Sequence, residues 1–143
     1  MFTLKQIDKN SIEFDSVYNI RFTVFTGEQN VPVDMLVDEA DENAIQIIAY
    51  ENDAAIGCGR IVIDKNTGII GRVAVLKDKR KFGVGKMICE KLITIAGDKY
   101  NIDKITLQSQ CTARTFYERL GFTADGNVFI KAGIDHINMI KKI

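Results

Sequence analysis

The stretch Ile69 to Ile93, IIGRVAVLKDKRKFGVGKMICEKLI, constrains this chain more than any other. An apolar run, Ile69 to Leu76, enters the basic turn Lys77 to Lys81. Then come Gly83-Val84-Gly85 and an amphipathic segment. That segment sets Val84, Met87, Ile88, Leu92, Ile95 and Ala96 on one side, and Lys86, Glu90 and Asp98 mostly on the other, the spacing of a helix against a core. A strand, a glycine turn and a helix together make an anion cradle. The first helical turn leaves N–H groups unpaired and carries the positive end of the helix dipole. Glycine lets a diphosphate approach the backbone. A phosphate group is therefore expected at Arg80 to Lys86. The form is R-x-x-G-x-G. A Walker A loop needs a glycine where Arg80 stands, and the dinucleotide fingerprint needs one at Ile88.

The flanking sequence predicts a mixed α/β sheet. Phe2 to Ile7 is read as an edge strand. Ser11 or Asp15 is positioned to cap a helix running to about Phe25, with Val17, Ile20, Val24 and Phe25 as its stripe. Gly27 to Glu42 is acidic and contains Pro32, which suits a loop with one helical turn after the proline. Ala44 to Tyr50, Ile56 to Ile63 and Ile69 to Leu76 form a three-strand meander. The last strand is apolar enough to be central and covered on both faces. Gly97 to Asn101 ends the helix, and Lys104 to Leu107 returns as a strand parallel to the one before it. Thr112 is placed to cap a helix over 113–120, stopped by Gly121. Val128 to Ile130 and Ile134 to Ile140 close as a hairpin around Lys131-Ala132-Gly133. No repeat or linker divides residues 1–143, so one domain with helices on both faces of the sheet is expected.

Nineteen basic and nineteen acidic residues cancel, which argues against a nucleic-acid binder driven by net charge. No run approaches the ~20 apolar residues of a membrane span, and MFTLKQIDKN lacks the pattern of a signal peptide. Three scattered cysteines and one histidine predict a reduced, cytoplasmic protein without a metal site. Cys111, at a helix start, is read as a small structural residue. Small size and exposed edge strands suit a monomer or a homodimer.

The strand, R-x-x-G-x-G and helix, followed by Phe116-Tyr-Glu-Arg-Leu-Gly-Phe122, resemble the GCN5-related N-acetyltransferase (GNAT) superfamily. Further matches point to its ElaA-like or YjcF-like branch. They are Arg21-Phe-Thr-Val-Phe25, Glu28-Gln29, Val31-Pro32, Asp38, Asp41, Arg72-Val-Ala-Val75, Ala113, and Ala132-Gly-Ile-Asp-His136 with Met139. The matches run from about residue 21 to 139. The branch often has a His where Gln46 stands and an acid near Leu36.

The resemblance implies the GNAT-like acyl-CoA N-acyltransferase fold, its sheet splayed between strands 4 and 5. It implies acetyl-CoA as acyl donor and a small amine as acceptor. The pyrophosphate maps onto Arg80, Lys81, Phe82, Gly83, Val84, Gly85 and Lys86. The pantetheine amides map onto Val73, Ala74 and Val75, beside a splayed partner at Thr106 to Gln110. Gln110, Ala113, Phe116 and Tyr117 complete the cofactor set, with Phe116 chiefly core packing. Tyr117 is the expected acid for the leaving thiolate, since a phenol of pKa ~10 keeps its proton at neutral pH. His136 and Glu28 are the expected candidates for the base, and a backbone N–H at Val73 to Val75 for the oxyanion. On the acceptor side stand Glu28 and Gln29, then Asp38 and Asp41 of an acidic loop that attracts a cationic amine, and Arg21 and Arg72, which suit an anionic part of the substrate. The alternative is a catalytically weak acyl-CoA-binding or sensing domain.

Overall fold

Runs rich in β-branched residues, separated by short turns, build the first half of the chain. The computed structural model describes residues 1–143. In chain order the regular elements are β1 (Phe2–Ile7), α1 (Phe14–Arg21), β2 (Ile45–Glu51), β3 (Ala54–Asp64), β4 (Thr67–Val75), α2 (Val84–Lys99), β5 (Lys104–Gln110), α3 (Arg114–Arg119), β6 (Thr123–Ala124), β7 (Phe129–Lys131) and β8 (Ile134–Lys142). One sheet results, in the order β1-β2-β3-β4-β5-β8-β6, with β7 also on β8. Every pair is antiparallel except β4 with β5. This is the mixed sheet expected, with β1 at its edge and β4 at its centre.

The helices cover opposite faces. On one, Val84, Ile88, Leu92, Ile95 and Ala96 of α2 join Ile47, Ile56, Ile61, Ile105 and Leu107. On the other, Val17 and Ile20 of α1, with Val24, join Ile48, Cys58 and Ala74. A Cβ on Gly59 would lie 2.8 Å from Ile88 Cγ2, so glycine here is what lets α2 lie close against β3.

The break in the sheet positions the site. β4 and β5 pair only from Thr67 to Ile70, opposite Lys104 to Leu107. Across the β3 pairing, Gly71 faces Arg60 but Ala74 faces Cys58. β4 therefore carries one extra residue, and Arg72 takes the left-handed φ of 54°. A bulge bends the strand and increases its twist, and beyond it β4 leaves β5. The splay predicted from the resemblance is present, but Thr106 and Leu107 are still paired and only Gln108 onward is free of β4. β5 instead pairs along its whole length with β8. The closing hairpin turns at Ala132 and Gly133, with φ of 53° and 75°, the two-residue turn that matches strand twist.

Several local expectations are corrected. α1 ends at Arg21 and the chain continues to Glu28 as a π-helical segment. Neither Ser11 nor Asp15 caps α1. Ser11 Oγ accepts from the Glu13 amide at 3.2 Å in the preceding turn, and Asp15 is already inside the first helical turn. Thr112 lies within a 3₁₀ turn, Cys111–Ala113, that runs straight into α3 and leaves no cap position for it. The helical turn after Pro32 is present at Val33–Met35, and a second follows at Glu39–Glu42. β6 has two residues, too few to show a period in sequence.

Candidate active site

Where β4 and β5 part, a cleft of about 660 Å³ opens. Its walls include Arg72, Ala74, Gln110, Tyr117, Lys131 and His136. Strand alternation sorts the walls by face. Leu107 of β5 and Ile137 and Met139 of β8 point into the α2-side core. Gln108, Gln110, His136 and Asn138 therefore project to the α1 face.

Beyond the bulge, β4 presents the backbone of Val73, Ala74 and Val75 with one edge toward β3 and the other edge without a strand. Adjacent to this edge is the start of α2. Its first helical bond joins the Met87 amide to the Gly83 carbonyl at 3.0 Å, so the amides of Val84, Gly85 and Lys86 lack intrahelical acceptors. Gly83 has φ of 82° and nothing within 4 Å of where a Cβ would stand, the opening an approaching anion needs. Gly85 is close-packed instead: a Cβ there would lie 3.3 Å from the Phe116 ring, which would have to shift slightly. Phe116 stands half-buried beside the helix start, edge-on to Tyr117 and outside the core where packing was expected to place it. Lys81 and Phe82 are exposed in the turn, and Val84 is buried in the core.

Arg80 reaches back. Its Nε donates to the Val75 carbonyl at 2.9 Å and its Nη2 to Glu28 Oε2 at 2.8 Å. Glu28 is thereby engaged with the cradle's arginine. Gln110 Nε2 donates to Gln29 Oε1 at 2.7 Å, tying the end of β5 to the π-helical segment across the cleft.

Tyr117 borders the cleft among aromatics, edge-on to Phe116 at 4.9 Å and to Phe122 at 6.0 Å. Burial, reinforced by the neighbouring Cys89, pushes its phenol well above the usual range. The hydroxyl is a protonated donor at neutral pH. His136 is stacked on Phe129 at 5.8 Å, and its Nδ1 lies 2.7 Å from the Ile134 carbonyl. A carbonyl only accepts, so Nδ1 bears the hydrogen of this bond, and a lone pair, where the ring has one, lies on Nε2.

Behind the α1 face lies a buried polar network. Arg21 and Asp41 are both fully enclosed and form a two-bond pair, Nη2 to Oδ1 at 2.9 Å and Nη1 to Oδ2 at 3.1 Å. Gln46 donates to Asp41 at 2.9 Å, and Arg21 also donates to the Leu36 carbonyl at 2.9 Å. Arg60 joins Asp38 at 2.6 Å and Asp41 at 2.9 Å. Burial alone would raise the Asp41 carboxyl. The hydrogen bonds and charge of Arg21, with the Asp38 amide and Gln46, overcome that and hold it far below the carboxylate range. Asp38 is lowered by its bond to Arg60. Arg21 and Asp41 have no surface to offer a substrate, so the acceptor-binding role expected of them gives way to a structural one. Asp38 is committed to Arg60. Arg60 and Gln46 were absent from the expected site. The signal was a lone Arg inside the apolar strand IGCGRIVI, which must find a buried partner.

The family profile described as "Acetyltransferase (GNAT) domain" matches residues 10–143. The uncharacterized N-acetyltransferase YjcF of Bacillus subtilis is 32% identical over 136 residues, covering 94% of this chain and 96% of that one. The uncharacterized protein YyaT of the same organism is 35% identical over 127 residues, covering 87% and 85%. The crystal structure of Escherichia coli ElaA superposes with a TM-score of 0.88 at 25% identity, covering 99% of each chain.

Proposed function

The chain belongs to the GNAT acetyltransferase family and is an acyltransferase, and from that membership we propose that it acetylates a primary amine by direct transfer from acetyl-CoA. One observation carries the reading. The β4 edge at Val73 to Val75, free of any strand and capped only by Arg80 at the Val75 carbonyl, adjoins the free α2 amides and shares the cleft with His136. When bound, acetyl-CoA supplies the activated acetyl group. The α2 amides and Arg80 hold its pyrophosphate, and the open β4 edge pairs with its pantetheine amides as a further strand would. A β4 N–H stands ready for negative charge on the acetyl oxygen. Tyr117 holds the proton for the departing sulfur. His136 Nε2 takes the proton from the amine, its ring oriented by the Ile134 carbonyl.

The test is thiol release from acetyl-CoA, measured with a broad set of primary amines. Amine-dependent release is expected. Tight coenzyme A binding by calorimetry with no release for any amine would instead establish an acyl-CoA-binding or sensing domain.

Two variants probe the donor half. Gly83→Asp forces a carboxylate and a strained left-handed φ into the cradle, and coenzyme A affinity should fall roughly tenfold to a hundredfold by calorimetry. Unchanged affinity in a folded variant removes the cradle assignment. Glu28→Gln tests whether Glu28 anchors Arg80 or acts as the base. Turnover is expected to stay within about threefold, the scale of an exposed ion pair. A collapse of turnover would return Glu28 to the chemistry.

A further inference from the structure

We infer that the acceptor amine carries an anionic group, a carboxylate or a phosphate, held between Arg72 and Lys131 across the cleft. This deepens the acetyl-transfer reading, on which it rests. Lys131, which the sequence places only in the closing hairpin turn, brings an unpaired charge to the cleft.

The cleft wall carries the cations Arg60, Arg72, Arg80 and Lys131 against one carboxylate, Asp125. Arg80 has Glu28. Arg60 has Asp38 and Asp41. Arg72 has only a distant share of Asp38, at 3.3 Å, already claimed at shorter range by Arg60. Lys131 has no carboxylate, and its ammonium donates to the neutral Gln108 Oε1 at 2.8 Å. Lys131 therefore faces the concave space with no counter-ion, and Arg72 faces it with only a shared one. Each is disfavoured as an ion by its surroundings. Burial and then the charges of Arg72 and Arg60 lower Lys131, while burial and then Arg60 lower Arg72. An anion arriving between them relieves both penalties.

The free hydrogens are suitably placed. Arg72 Nε donates to the Leu36 carbonyl at 3.3 Å, and Nη2 donates to the Met35 carbonyl at 3.1 Å and to Asp38. Nη1 is the guanidinium nitrogen with no protein acceptor. Lys131 keeps two of its three N–H groups. Arg72 is also held in place by the β4 bulge and the two loop carbonyls, so little freedom remains to be lost on binding. The third wall is His136, whose strand β8 pairs with β7, the strand that ends at Lys131. An amine at His136 thus lies near a grip for a negative group on the same small molecule.

The experiment compares matched acceptors by thiol release from acetyl-CoA: phenylalanine with phenethylamine, β-alanine with ethylamine, and phosphoethanolamine with ethanolamine. The anionic member of at least one pair should have kcat/KM about tenfold higher or more, the effect of one charge-assisted contact. Preference in the first two pairs identifies a carboxylate, and preference in the third a phosphate. Lys131→Gln should raise KM for the anionic member about tenfold more than for its neutral partner. Equal rates within every pair, or a Lys131→Gln loss shared equally by both members, overturns the inference. If no amine reacts, the acetyl-transfer reading fails and the grip is judged by binding alone. With coenzyme A present, calorimetry of N-acetyl-β-alanine against N-ethylacetamide must then favour the carboxylate, and lose that preference in Lys131→Gln, or the inference falls too.

Discussion

Tyr117→Phe is expected to lower turnover about a hundredfold, the lower end of what a positioned proton donor contributes. Coenzyme A affinity should change little. The substitution removes one oxygen and keeps the ring, so the edge-on contacts with Phe116 and Phe122 survive and the fold is not at issue. Burial pushes the phenol upward. An acid acts below its pKa, so Tyr117 should impose no loss of activity as pH rises from about 7 to about 10, the ordinary tyrosine value. Pre-steady-state mixing separates the transfer step from binding and release. Turnover of the Tyr117→Phe variant within about twofold of the wild type would mean that water protonates the sulfur, leaving Tyr117 a packing role alone.

Asp41→Asn should destabilise the fold by about 3–5 kcal/mol, the scale for removing one partner of a buried ion pair. It leaves Arg21 fully enclosed without its countercharge and takes from Arg60 its second carboxylate. Domain stabilities are about 5–15 kcal/mol in all, so the change is large. For a chain of this size it corresponds to a fall of roughly 10–15 °C in Tm, read by circular dichroism. The pH dependence has a definite sign. The folded carboxyl is depressed far below its unfolded value. Its contribution is fully present above about pH 4 and is lost as acid carries the pH down toward the folded value. The wild type should lose stability over that acid range, and the Asn variant should lose less. A Tm shift of only a degree or two would show that the network contributes nothing net.

Much of the donor half was legible in sequence because it is local. Gly83, Gly85 and the periodic face of α2 are set by backbone sterics and a repeat of 3.6 residues, and neither depends on distant partners. The hairpin at Ala132-Gly133 and the edge strand β1 were legible for the same reason. The missed features are long-range. Arg21 looked like a substrate contact because nothing in RFTVF reveals Asp41, twenty residues on, closing over it. Glu28 reads in sequence as a free loop carboxylate, and nothing near it reveals its bond to Arg80, fifty-two residues away. Lys131 reads in sequence only as a hairpin-turn residue. It lines the same cleft as Arg72 only because β4 and β5 part after Ile70.

The strand, glycine turn and helix at Ile69 to Ile93 therefore determined by themselves the free amides and the left-handed Gly83 at the start of α2, since both follow from local geometry. Only the tertiary structure decided which charges around the cleft are already neutralised and which remain open. Neutralisation depends on distances of about 3 Å between residues far apart in the chain, and no spacing along the sequence encodes it.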